Sequence, residues 1–232
     1  MRILGMEKMS LVDYDGYISA TLFTGGCNFL CPFCHNSPLV LGHKSQPTVS
    51  EEEVFSYLNK RIGMLEGVCV SGGEPTLNKD LPEFIEKIKN IGYKVKLDTN
   101  GTNPQMLKSL FRDGLVDYCA MDIKNDRDHY ASIIGFQEYD TSKVNESVEF
   151  LISSNYDYEF RTTLVNEVHG FYNMRAIGKW INGAKKYFLQ KFIDSGSCIG
   201  QNLSAVPTEK AKEFLNILTP FIQNVNLRGY DI

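Results

Sequence analysis

The sequence predicts an α/β protein built on a parallel sheet, and three observations lead there. Short apolar, strand-like runs alternate with amphipathic helical runs through six successive units. The connections between them are mostly short, and parallel neighbours need crossover helices of this kind, which wind right-handed. The length of 232 residues suits a single α/β barrel, so one domain over residues 1–232 is expected, with no room for a second of any size. Periodicity does not choose between a barrel and a doubly wound sheet.

In chain order, a short apolar lead precedes a first strand at 17–23, YISATLF. Ser50 and Glu53 form a capping-box signature, and Val54, Tyr57, Leu58 and Ile62 then recur at helical spacing. A strand at 67–70 runs into SGGEP (71–75), and a helix carrying Leu81, Phe84, Ile85 and Ile88 stops at Gly92. The strand at 93–97 ends in DTNG (98–101), after which Asn103 and Pro104 start a helix with Leu107, Leu110 and Phe111, closed by Gly114. A fourth strand, 116–121, leads into Asp122, Ile123 and Lys124. A connection longer than most follows, through Tyr130, Ile133 and Ile134. The alternation resumes with a helix carrying Val144, Val148, Leu151 and Ile152, a strand at 158–165, a helix at 174–181 and a strand at 187–193. A last helix carries Ala211, Phe214, Leu215 and Leu218, and 225–228 reads as a short terminal strand.

A hydrophobic fraction of 43% without low-complexity runs predicts an ordered globular chain. The net charge of -4 provides no basic face for a phosphate backbone, so nucleic acid is not an expected partner. The N-terminus lacks the apolar core of a signal peptide and no run reaches membrane-spanning length, which predicts a cytoplasmic protein with no membrane partner. Of the six cysteines, Cys69 and Cys119 sit in strand-like runs and read as small buried hydrophobes, while Cys198 has no assigned role. His43, His129 and His169 stand singly in loops and read as solvated.

The remaining thiols, Cys27, Cys31 and Cys34, crowd into TGGCNFLCPFCHN (24–36). Three thiolates this close hold one soft metal centre and leave it one ligand short of four. A structural zinc site completed by His35 is the alternative, although neighbours such as Cys34 and His35 rarely reach two corners of one tetrahedron. Gly72 and Gly73 let backbone approach a ligand, and Glu74 offers a carboxylate to an ammonium group. Asp98 at a strand end suits ribose hydroxyls, with Asn100-Gly101 shaping the turn. Asp122 and Lys124 share a strand face, and Arg161 brings a planar fork for a carboxylate. For Lys124 and Arg161 an internal salt bridge is an equal alternative.

The CxxxCxxC run with aromatic Phe33 before its last cysteine resembles the cluster loop of the radical S-adenosylmethionine (radical SAM) enzymes. The resemblance implies an incomplete (βα)6 TIM-like barrel. It also implies a [4Fe-4S] cluster on Cys27, Cys31 and Cys34, with S-adenosyl-L-methionine chelating the fourth iron and yielding a 5′-deoxyadenosyl radical. By the same resemblance Gly72, Gly73 and Glu74 meet the methionine amino group, and Asp98 and Asn100 meet the ribose. Phe33 and Asp122 are further candidates for the cofactor site, with Lys124 a candidate contact to the substrate side or to the methionine carboxylate and Arg161 a candidate partner of that same carboxylate.

The short chain, the opening GMEKMSLVDYDG and the run CHNSPLV resemble the glycyl-radical enzyme activases. Among these the likeness is greatest to the anaerobic ribonucleoside-triphosphate reductase activating proteins, with Tyr14-Asp15-Gly16 standing where YPG is expected. This implies a large glycyl-radical enzyme, anaerobic ribonucleotide reductase, as partner, and a flavodoxin- or ferredoxin-type electron donor. A pyruvate formate-lyase activase and a small-molecule radical SAM enzyme such as a 7-carboxy-7-deazaguanine synthase are the rival readings. Residues 125–139, with Tyr130, Ile133, Ile134 and Phe136, are expected to form part of a docking surface.

Overall fold

The computed structural model describes residues 1–42, 44–194 and 196–231, so His43 lies outside the described residues. The chain falls into two compact units, Met1–Asn28 with Pro38–Ala120, and Phe29–Ser37 with Met121–Ile232.

The first unit opens with β1 (Ile3–Ser10), antiparallel to β2 (Ser19–Thr24). After α1 (Ser37–Leu41) and α2 (Glu51–Lys60), β3 (Gly67–Gly72) lies parallel to β2, pairing Thr21 with Cys69 and Thr24 with Gly72. Next come α3 (Leu81–Ile91) and β4 (Lys94–Thr99), which is parallel to β3, and then α4 (Pro104–Arg112) and β5 (Tyr118–Asp122). Ala20, Leu22, Val68, Cys69, Val70, Val95 and Leu97 are all fully buried. Both faces of these strands are therefore covered, which is why they read as near-continuous apolar runs rather than as alternations.

The second unit contains α5 (Tyr130–Ile133), α6 (Ser142–Ser153), β6 (Asp157–Leu164), α7 (Phe171–Trp180), β7 (Lys186–Lys191), α8 (Thr208–Leu218) and β8 (Asn224–Arg228). β6, β7 and β8 pair in chain order, all parallel. Phe160, Leu164, Tyr187 and Leu189 supply its buried strand residues; Val148, Ile177 and Phe214 supply buried residues from three helices. Among the described residues no helix is long and apolar enough to cross a membrane.

The ends of the helices follow local chemistry. The Ser50 hydroxyl accepts from Glu53 N–H at 3.1 Å to start α2. The helix stops before Ile62, which was expected to extend its apolar face; Gly63 turns the chain at φ +81° and Ile62 is left exposed. Gly92 at φ +108° ends α3 as a left-handed cap. The Asn103 side chain caps α4 through Met106 N–H at 3.2 Å and donates to the buried Thr76 carbonyl at 2.9 Å.

Two expectations need correction. His169 is buried rather than solvated, whereas His129 is exposed as expected. The segment 125–139 does not present its apolar residues outward: Tyr130, Ile133 and Ile134 are buried around α5, and of the named group Phe136 remains exposed. Packing a short helix inward removes about 1.5–3 kcal/mol of apolar side chain from water per residue, which outweighs leaving it on the surface.

The double duty of Asn103 is testable by urea unfolding. Asn103→Ala is expected to cost about 2–3 kcal/mol, since it removes a cap and leaves a buried carbonyl without its donor. Ser50→Ala, which loses an exposed cap alone, is expected to cost about 0.5–1 kcal/mol. Equal losses would show that the bond to Thr76 adds nothing.

Candidate active site

The motif loops all leave the C-terminal ends of strands. The cysteine loop follows β2, SGGEP spans the end of β3, DTNG spans the end of β4, and Asp122 and Lys124 stand at and just past the end of β5. In parallel α/β proteins this strand end is where ligands and catalytic groups gather.

In the first unit, three of these loops are tied together. Gly73 N–H donates to Thr24 O at 3.0 Å, and Glu74 N–H to Gly26 O at 2.8 Å. A Cβ on Gly73 would stand 1.9 Å from Gly26 O, so only glycine permits this approach. The Glu74 carboxylate is completely buried and accepts four hydrogen bonds: Thr76 N–H at 3.1 Å, Thr76 Oγ1 at 2.5 Å, Thr99 Oγ1 at 2.7 Å and Asn100 N–H at 2.6 Å. Burial pushes its pKa up, and these donors oppose that shift. Glu74 thus binds the end of β3 to the end of β4. Asn100 Nδ2 donates to Asn28 Oδ1 at 2.8 Å and lies 4.0 Å from Cys27 Sγ, while Asn28 Nδ2 donates to Thr102 Oγ1 at 3.0 Å. Asp98 accepts from Ser71 Oγ at 3.0 Å and faces the Lys96 ammonium at 3.0 Å. Cys27, Gly72, Gly73, Glu74, Asp98 and Asn100 therefore belong to one connected set of loops.

The second unit holds the other half of the expected site. Cys31 is buried, and Cys34 N–H closes a turn onto Cys31 O at 3.0 Å. Burial pushes the Cys31 thiol up to about 11 and raises Cys34 as well, while the Lys124 charge opposes both shifts. Burial disfavours the Lys124 charge, but Asp122 and Cys31 outweigh it and its pKa rises. Asp122 sits between two cations, with Lys124 Nζ at 2.9 Å from Oδ2 and Arg161 Nε at 2.9 Å from Oδ1. Lys124 and Arg161 are thus in the internal salt bridge that the sequence left as an alternative. Phe33 is buried with its ring centroid 6.4 Å from that of His169.

His169 is fixed in this half by its backbone contacts. Val165 N–H donates to its Nδ1 at 3.0 Å, so Nε2 carries the proton toward Lys124 O at 3.0 Å. Burial lowers its pKa to about 4, which keeps the ring neutral. His35 lies beside Phe192, with ring centroids 5.5 Å apart.

None of the six cysteines is in a disulfide. Among the described residues no three His, Cys, Asp or Glu side chains already stand in metal-binding geometry. The chemistry of the donor set is nevertheless what an iron–sulfur centre requires: three thiols of one loop, two of them beside a cation that offsets thiolate charge.

Several participants escaped the sequence reading. Lys96 alternates with Asp98 exactly as Lys124 does with Asp122, a period-2 signal that was there to be read. Asn28 and Ser71 are ordinary loop residues whose partners lie 72 and 27 positions away, and nothing local marks them.

The radical SAM superfamily pattern matches residues 21–169. A Methanocaldococcus jannaschii protein provisionally named a glycyl-radical enzyme activating enzyme is 32% identical over 97% of this chain and 95% of its own length. A 7-carboxy-7-deazaguanine synthase of Koribacter versatilis is 28% identical over 69% of this chain and 67% of its own. Among solved structures, a domain of the pyruvate-formate lyase-activating enzyme from Bacteroides vulgatus superposes with a TM-score of 0.56 at 15% identity, covering 71% of this chain and 99% of that one. Likeness at that identity carries the fold, an α/β architecture with a parallel-dominated sheet of the partial TIM-barrel kind. The chain belongs to the radical SAM superfamily, whose members work with a [4Fe-4S] cluster and S-adenosylmethionine.

Proposed function

We propose that this radical SAM enzyme, read as one domain over residues 1–232, is a cytoplasmic oxidoreductase that activates a large glycyl-radical enzyme. The observation that carries this reading is the relative named as a glycyl-radical enzyme activating enzyme, which matches this chain along nearly its whole length. The residue pattern of the opening adds anaerobic ribonucleotide reductase as the partner of choice, with a flavodoxin- or ferredoxin-type protein as electron donor.

In this reading Cys27, Cys31 and Cys34 hold the cluster. Bound there together with S-adenosylmethionine, a [4Fe-4S] cluster would supply the electron for reductive cleavage of the sulfonium, and hence the hydrogen-abstracting radical for a glycine of the partner. The chain's own task is positioning. Gly72 and Gly73 present backbone to the methionine amino group. Asp98, aimed by Ser71, accepts from the ribose hydroxyls, with Asn100 shaping the turn beside it. Phe33, Lys124 and Arg161 are the further residues that would serve the cofactor, and Asp122 pairs with both cations. Glu74 acts mainly from behind, since all four of its donors belong to the protein. The similarity to a 7-carboxy-7-deazaguanine synthase keeps a small-molecule reaction as the second reading.

Anaerobically reconstituted protein is expected to hold about four irons per chain and to lose its colour in air. Stoichiometric zinc without iron would sink the cluster assignment. Mixed with an anaerobic ribonucleotide reductase, a reductant and S-adenosylmethionine, it should yield 5′-deoxyadenosine and a glycyl-radical doublet by electron paramagnetic resonance. Turnover of a deazaguanine precursor with no such doublet would hand the assignment to the second reading.

A pair of variants separates the two acidic residues. Asp98→Asn should keep its irons and bind S-adenosylmethionine about ten- to a hundredfold more weakly, the value of one charge-assisted hydrogen bond. Unchanged affinity by anaerobic calorimetry would remove Asp98 from the cofactor site. Glu74→Gln should instead destabilise the apoprotein by about 2 kcal/mol or more, because it turns an amide toward buried donors.

A further inference from the structure

Residues 13–16, to which the proposed reaction gives no task, are anchored inside the first unit. Tyr14 is buried, and a Cβ on Gly67, at the start of β3, would stand 2.9 Å from its ring. Tyr17 N–H donates to Tyr14 O at 3.0 Å and Gly16 turns the chain at φ +86°, so the segment closes on itself. The Asp13 carboxylate accepts from Thr21 Oγ1 of β2 at 2.6 Å, which fixes the turn to the sheet. Held in this way, the Asp13 carbonyl accepts from Lys96 Nζ at 2.5 Å.

Lys96 lies on β4, two residues before Asp98 and on the same strand face. Its side chain is buried, and a buried ammonium is tolerated only where oxygens meet it. The Asp13 carbonyl is one such oxygen, and Asp98 Oδ1 at 3.0 Å is another. Ser71 Oγ of β3 donates to the other carboxylate oxygen, Asp98 Oδ2, at 3.0 Å. Both oxygens of Asp98 are therefore held, which fixes the plane of the carboxylate. One end of this chain of contacts is the opening turn, and the other is the end of β4.

We propose that Lys96 is a positioning residue for the cofactor: braced by the opening turn, its ammonium holds Asp98 in the orientation in which Asp98 accepts from the ribose hydroxyls of S-adenosylmethionine. The inference rests on the assignment of Asp98 to the ribose made above, and extends it to a residue that acts through Asp98. A carboxylate fixed in advance does not have to be ordered when the ligand arrives, so more of the hydrogen-bond energy appears as affinity. It also gives the turn at 13–16 a part in cofactor binding.

The test is a double-mutant cycle on cluster-loaded protein, read by anaerobic calorimetry of S-adenosylmethionine binding. Lys96→Met, which keeps an apolar stem and deletes the charge, should keep its irons and bind the cofactor about tenfold more weakly. In an Asp98→Asn background the same substitution should change affinity by less than about twofold, because its effect passes through the carboxylate. Methionine, which has no ribose, should bind Lys96→Met as it binds the wild type. Unchanged S-adenosylmethionine affinity in Lys96→Met would overturn the proposal. So would a loss that persists in full beside Asp98→Asn, or one that extends to methionine and so reports a general disturbance of the site. If Lys96→Met does not fold, the double variant, from which both charges are gone, is compared with Asp98→Asn: equal affinities uphold the proposal and unequal ones overturn it. Asp98→Asn protein that binds S-adenosylmethionine as tightly as the wild type would instead overturn the ribose assignment, and the proposal with it.

Discussion

A carboxylate with no exposure to water has to be satisfied by the protein itself, and in the first unit Glu74 imposes that demand. Its four donors come from the turn that follows it and from Thr99 and Asn100 at the end of β4. Removing any of them leaves buried charge short of a partner, so the loops after β3 and β4 are held as one piece. The glycine pair before Glu74 serves the same end by letting backbone meet backbone at Thr24 and Gly26, the residues that lead to Cys27. The motif therefore divides its labour: the glycines supply closeness and the acid supplies the fixed frame.

Asp122 organises the second unit by the same rule. It is shared by Lys124 and Arg161, each 2.9 Å away, so neither cation is free to swing while Asp122 stays charged. Cys31 and Cys34 lie within the field of Lys124, in surroundings dry enough to keep their protons on. Metal entry must then be accompanied by proton release, and the fixed Lys124 charge lowers the cost of that step. Lys124, for which the sequence left an internal salt bridge open, already has partners in its own chain, Asp122 by contact and the thiols by charge.

What could be read from the sequence was whatever repeats at short range. The strands that end in SGGEP, DTNG and Asp122 were visible as apolar runs, and α3 and α4 announced their ends through Gly92 and Asn103. β1 was missed because it is made by its partner: Glu7 and Lys8 break any alternation, and only pairing with β2 extends it. Ile62 kept the helical spacing that Gly63 interrupts. His169 looked like a loop histidine, and its burial follows from Lys124 and Val165 wrapping it with backbone. The cysteine loop, by contrast, was legible in its chemistry before any of its neighbours was known.

The family match ends at residue 169, yet the chain beyond it reaches back to the cysteine loop. Between β7 and α8, Gly200 N–H donates to Pro32 O at 2.7 Å, Ser197 Oγ to His35 O at 3.4 Å, and Ser37 Oγ to Ser197 O. A Cβ on Gly200 would stand 2.7 Å from Pro32 Cβ, so the approach depends on glycine. Cys198, in the middle of this strap, lies close enough for its charge to bear on Cys34. The matched residues include the three thiols and the Glu74 frame. The backbone between Cys31 and Cys34 is thus also held by a segment beyond the residues that the family pattern matches.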